Sequence, residues 1–164
     1  MTLSDLSNLG TFISALAVVA SLIFVGVQLR QNTKAVRAAA SQAHTSHWQA
    51  MLTPVIEHED VADIYRRGLS DMESLTDNEC VRFIILIGAM FRFTESARLQ
   101  WLHGQLEDSH WVNMERNVTA LAGQPGFKGY WALRRDWYAP DFQVWFDALP
   151  VHTAGPMYTA QKQA

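Results

Sequence analysis

Residues Leu6 to Leu29 read LSNLGTFISALAVVASLIFVGVQL, a run without a charged side chain between Asp5 and Arg30. A bilayer hydrocarbon layer of roughly 30 Å is crossed by about 20 apolar residues in helical form. Leu9 to Leu29 supplies that length, with only Gly, Thr, Ser and Gln as interruptions. The run therefore predicts a membrane-spanning helix that tethers the rest of the chain. A cleaved signal peptide has a basic start, a shorter apolar core and small residues flanking the cleavage point. This chain begins MTLSD and offers Val27-Gln28-Leu29 instead. A buried helix of a soluble protein is the remaining alternative, and all-round apolarity over six turns is rare outside membranes.

The flanks orient the span, because the cytoplasmic end of a membrane helix carries the excess of Lys and Arg. Arg30, Lys34 and Arg37 follow it and only Asp5 precedes it, so the C-terminal part is expected to face the cytoplasm. A single cysteine, Cys80, is compatible with a reducing compartment. Within the span, Gly10, Ser14, Ala17 and Ser21 are spaced four, three and four, and Phe24 and Gln28 continue the spacing. Small residues along one seam let two helix backbones approach closely in lipid. Gln28 either snorkels to headgroups or bonds across to a neighbouring copy. The seam predicts a homo-oligomer. A pore lined by Thr11, Ser14, Ser21 and Gln28 in a channel-like assembly is the alternative use of the same residues.

From Arg30 to Leu52 the chain contains neither Gly nor Pro and is rich in Ala and Gln, so the helix is expected to run unbroken from about Ser4 to Leu52, with Pro54 ending it. The pair Thr2 and Asp5 resembles an N-terminal cap for it. Gln31, Ala35, Ala38, Gln42 and Thr45 extend the membrane seam into this stalk. Beyond Pro54, apolar spacing predicts a helix over Glu59 to Ser70 that Gly68 weakens near its end. Thr76 and Glu79 form a capping box ahead of CVRFIILIGAMFRFTESARLQWL, the core helix, which Gly104 ends. Its uncharged run, Phe83 to Phe91, is nine residues, too short for a second span. Asp108-Ser109 is expected to cap the next helix, Pro125-Gly126 to open one over Phe127 to Tyr138, and Pro140-Asp141 to open the last.

No alternating strand pattern appears, so the fold class is all-α. The expected divisions are residues 1–30 as a transmembrane anchor, 31–53 as a helical stalk, 54–150 as a compact helical cytoplasmic domain and 151–164 as a flexible tail. The whole chain has 164 residues, 49% of them apolar, and a net charge of −3. Leaving out Asp5 and Arg30 takes one charge of each sign, so the domain stays acidic and a nucleic-acid partner is disfavoured.

Few residues suggest chemistry. His44 and His47 share a helix face and Glu57, His58, Glu59 and Asp60 follow, but two His at this spacing do not define a metal site, and the reading is a polar stalk face without metal. Arg92, Glu95 and Arg98 recur at three-residue intervals on the most apolar helix. A carboxylate held between guanidinium groups is a poor general base, so the three predict a structural ion network, with Glu95 partly buried and linking the core helix to the C-terminal aromatic helix. The aromatic run Phe127, Tyr130, Trp131, Trp137, Tyr138, Phe142, Trp145 and Phe146 is expected to form core or interface in preference to an apolar-ligand pocket. Nucleophile motifs, phosphate loops and paired cysteines are absent, so neither a catalytic set nor a cofactor is expected.

The segments VGVQLRQNTKAVRA at residues 25–38, FRFTESARLQWLHGQLEDSHW at 91–111 and PGFKGYWALRRDWYAPDFQVWFD at 125–147 together resemble an uncharacterised bacterial family of small membrane proteins. Such proteins have one N-terminal transmembrane helix and a helical cytosolic domain. The positions carrying the resemblance are Gln28, Arg30, Gln31, Asn32, Thr33, Glu95, Gly104, Trp111, Trp131 and Phe142. It implies a bacterial inner membrane and transfers no activity. The function expected is a self-associating membrane scaffold or sensor with an unidentified protein partner.

Overall fold

The computed structural model describes residues 3–150; the proposed cap at Thr2 and the tail from residue 151 lie outside them. The fold is all-α, with no strand among the described residues. Six α-helices follow in order: α1 (Leu3–Glu57), α2 (Glu59–Ser70), α3 (Asp77–Leu102), α4 (Asp108–Ala122), α5 (Pro125–Arg134) and α6 (Pro140–Asp147). Short 3₁₀ turns at Met72–Ser74 and Arg135–Trp137 punctuate them. The chain divides into two compact units, one ending at Ala39 and one beginning at Ala40.

In the first unit every described side chain from Gly10 to Ala39 is exposed. An 18-residue window of α1 has a mean hydropathy of 2.4 with none of it buried. Phe12, Leu22 and Phe24 are each more than 60% exposed. The helix is thus long and apolar enough to cross a membrane, and among the described residues its apolar side chains from Gly10 to Ala39 are exposed.

α1 passes Pro54 instead of stopping there. Proline removes one donor, the one that would bond the Ala50 carbonyl. Both Ala50 and Pro54 are exposed, so water can take that carbonyl's place. The break falls at His58, which is extended (φ −122°, ψ 113°). Residues 40–53, expected as part of a stalk, belong to the second unit. Trp48, Met51 and Val55, at helical spacing, pack against its core.

Local signals fix the ends of the other helices. Glu79 closes the capping box on α3: its Oε2 accepts the Thr76 N–H at 2.8 Å, while its Oε1 accepts Arg67 Nη2 at 2.5 Å. The Arg67 guanidinium, helped by Thr76, holds the Glu79 carboxyl down at about 2. At the other end of α3, Gly104 takes φ 67°, and the Gly104 and Gln105 N–H groups bond back to the Trp101 and Gln100 carbonyls, both at 2.8 Å. This is a left-handed glycine stop. α4 begins one residue earlier than the expected Asp108-Ser109 cap: Glu107 is the cap residue, and Asp108 Oδ1 instead accepts the Trp101 indole N–H at 2.8 Å. The helix expected over Phe127 to Tyr138 ends at Arg134 and tightens into the 3₁₀ turn.

The core is aromatic. Phe83, Ile87, Phe91, Phe127, Tyr130, Trp131, Phe142 and Phe146 are all buried in one cluster, and Ala97, Leu106 and Trp111 form a second. Most of the C-terminal aromatic run is therefore core. Trp137 is the exception at 62% exposed, covered on one face by the Arg134 guanidinium 4.3 Å from its ring centre. Tyr130 and Tyr138 pair their buried hydroxyls at 2.7 Å. Burial, with the Tyr130 hydroxyl, pushes the Tyr138 phenol well above its ordinary value.

Candidate functional site

Within the second unit a cavity of about 270 Å³ opens among α1, α3, α4 and α5. α1 contributes His44, Thr45 and Trp48, and α3 contributes Met90, Phe91, Phe93 and Thr94. α4 brings a polar row, His110, Asn113 and Asn117, beside an apolar one, Met114, Val118 and Leu121; Phe127 of α5 joins the wall. Each row recurs at three- and four-residue intervals, which is what puts it on one helix face. Met90, Phe91 and Phe127 are buried, whereas Thr45, Asn113 and Asn117 are exposed, so the cavity has an apolar interior and a polar mouth.

His44 is the unusual wall. Its side chain is 8% exposed, although H-x-x-H read as a polar stalk face in sequence. The Phe93 ring meets it edge-on at 5.2 Å and also stacks on His47 at 5.7 Å. Gln100 donates its amide N–H to Ser96 Oγ at 3.3 Å, which turns its Oε1 toward His44 Nε2, 3.0 Å away. Nδ1 is enclosed and has no hydrogen-bond partner among the described residues. The ring of His110 lies 6.1 Å from that of His44. Burial, together with His44, lowers the pKa of His110, with Glu107 opposing, so its uncharged form is favoured at neutral pH.

The residues singled out in sequence lie elsewhere. Gly10, Ser14, Ala17, Ser21 and Gln28 are exposed on α1, and nothing stands within 4 Å of where a Gly10 Cβ would be. The expected Arg92–Glu95–Arg98 network separates into two links. Arg92 Nη1 meets Glu95 Oε2 at 2.9 Å, and its Nη2 donates to the Trp137 carbonyl at 2.8 Å. Arg98 turns away from Glu95 to Asp141, also at 2.9 Å. Glu95 Oε1 accepts the Ala139 N–H at 2.8 Å, at the start of α6. All three residues thus tie α3 to the chain between Trp137 and Asp141. Among the described residues no group of three His, Cys, Asp or Glu side chains could hold a metal ion.

Glu95 is 20% exposed and serves both a cation and a helix N-terminus. Glu95→Gln keeps the shape but halves the acceptor capacity and removes the charge. A loss of about 1 to 2 kcal/mol is expected, the range of a helix-capping carboxylate. Thermal melting of the full chain, followed by tryptophan fluorescence, should show it as a drop of several degrees. A variant that melts with the parent would mean that this link holds nothing.

Sequence reading missed the cavity. Its signal was the pair His44 and Trp48 on α1 and the paired rows on α4, while the aromatic run supplies only Phe127. No protein-family model matches the chain, and neither do curated proteins or solved structures.

Proposed function

We propose that this protein is a membrane-anchored, self-associating scaffold or sensor whose helical domain lies in the cytoplasm. The observation that carries the reading is the bare apolar surface of α1: a window of mean hydropathy 2.4, none of it buried among the described residues. Water would not tolerate such a face, so lipid or further copies must cover it. Arg30, Lys34 and Arg37 beyond the window support a cytoplasmic placement of the helical domain. The resemblance to bacterial membrane proteins with one N-terminal helix supports the inner membrane as the location.

Self-association would run along Gly10, Ser14, Ala17, Ser21 and Gln28, whose small side chains leave a shallow groove for a second helix. The purified full chain should be oligomeric in mild detergent by light scattering. Ser14→Leu and Ala17→Leu, which fill the groove, should weaken the oligomer about tenfold while leaving the protein in the membrane fraction. A parent protein that is monomeric at every concentration overturns self-association, and one that leaves the membrane fraction on a salt wash overturns anchoring.

A further inference from the structure

We propose that Arg30, Lys34 and Arg37 form a docking face for the anionic headgroups of the bilayer that α1 crosses, so that the anchor gathers acidic phospholipid around its end. The proposal rests on the anchoring reading and names its lipid partner.

Charge distribution is the first observation. Between residues 6 and 56 the chain holds no Asp or Glu, and its only Lys and Arg are these three. From Glu57 onward ten basic residues stand against fifteen acidic ones. There Asp60, Asp63, Glu79, Glu95 and Asp141 are taken by arginines of their own unit. An otherwise acidic chain thus keeps one purely basic stretch, and it adjoins the apolar run. An anionic surface complements this stretch and repels the rest of the chain.

Arrangement is the second. The three cations are spaced four and three, so at about 100° per residue they fall within an arc of about 60° on one helix face. All three are exposed on α1. Gln31, Ala35 and Ala38, which continue the small-residue seam, each follow one residue later and so lie about 100° further round. Copies packed along the seam would leave the cationic face to lipid.

Depth is the third. Arg30 directly follows Leu29, the last residue of the uncharged run. At 1.5 Å per residue, Lys34 lies about 7.5 Å and Arg37 about 12 Å beyond Leu29 along an upright helix. A headgroup layer is roughly 5 to 8 Å thick, and a charge is felt across about 8 Å more at physiological salt. Long basic side chains also snorkel toward the phosphates, so all three act on the same layer. Each such residue favours an anionic surface about fivefold. A soluble acidic protein would have to reach this face through the headgroups, which makes the bilayer the occupant.

The test uses the full chain carrying Cys80→Ser and Leu29→Cys, with bimane attached at residue 29, in phosphatidylcholine vesicles containing a minor fraction of phosphatidylglycerol. Brominated acyl chains quench bimane on contact. Brominated phosphatidylglycerol should quench more than brominated phosphatidylcholine at the same mole fraction, by an enrichment of about fivefold or more, and concentrated salt should shrink the difference. Lys34→Gln should reduce the enrichment, and the combination of Arg30→Gln, Lys34→Gln and Arg37→Gln should remove it. Equal quenching by the two lipids in the parent overturns the docking face, as does a preference that survives the triple change. Quenching by neither lipid means that residue 29 is outside the bilayer, and that outcome overturns anchoring itself. Where the triple variant fails to insert, Lys34→Gln alone decides. Equimolar polyglutamate that abolishes the preference assigns the face to an acidic protein and overturns the lipid.

Discussion

Gly126→Ala should cost the helical domain about 3 kcal/mol or more, the upper end of what overpacking imposes. A Cβ at Gly126 would drive into the backbone carbonyl of Gly68 and come within 3.0 Å of Leu69 Cα. Neither neighbour is a side chain that can swing aside, so α2 and α5 would have to part. Gly68 has no slack to give: the space its own Cβ would need is filled by the Phe83 ring, which is fully buried. The two glycines meet where one helix crosses the other, and the whole contact depends on both. Gly129→Ala is the control, because its added methyl meets only Met72 Sδ, at 2.9 Å, the end of a flexible side chain. Urea unfolding of the detergent-solubilised chain should place Gly129→Ala within about 1 kcal/mol of the parent and Gly126→Ala far below it. Equal midpoints for the two variants would show that the crossing is not tight.

That crossing also marks where sequence reading stops. Gly68 reads as a helix-weakening residue and Gly126 as part of a Pro-Gly start, both local meanings, and both helices do begin where local signals put them. What those signals omit is which residue of a distant helix each glycine must meet. The Glu79 carboxylate shows the same division. Its bond to Thr76, three residues away, is legible as a capping box, while its bond to Arg67 depends on how α2 lies against α3. Arg98 and Glu95 illustrate the converse error. Three-residue spacing made them neighbours on paper, yet Asp141 lies within reach of Arg98 and takes it instead. Pro54 misled for a different reason: it sits in the last turn of α1 and removes one donor, and Ala50, whose carbonyl loses it, is an exposed residue. The cavity was illegible because its walls come from helices separated by many tens of residues, and neither the α1 row nor the α4 rows point to the other.

Phe91→Ala should be the most damaging truncation in the core, at about 3 to 5 kcal/mol, against a typical total stability of roughly 5 to 15 kcal/mol. The Phe91 side chain is 2% exposed and lies in contact with five aromatic rings. Ring centres of Phe127, Tyr130, Trp131, Tyr138 and Phe146 stand between 4.9 and 5.6 Å from its own. Those partners come from α5, from the turn before α6 and from α6 itself, so one side chain of α3 joins the C-terminal third of the fold. Removing it leaves a void that rigid rings cannot close, and the Tyr130–Tyr138 hydroxyl pair loses one wall. Phe91→Leu, which restores most of the volume without the ring stacking, should cost less than about 2 kcal/mol. Trp137→Ala removes a larger side chain that is mostly in solvent and should cost no more than about 1 kcal/mol. The order of urea midpoints, Trp137→Ala nearest the parent, then Phe91→Leu, then Phe91→Ala, separates burial from size as the cause. Phe91 also lines the cavity between α1, α3 and α4, so its truncation widens that space. A Phe91→Ala variant that melts within about 1 kcal/mol of the parent would show that the aromatic cluster does not hold the domain together.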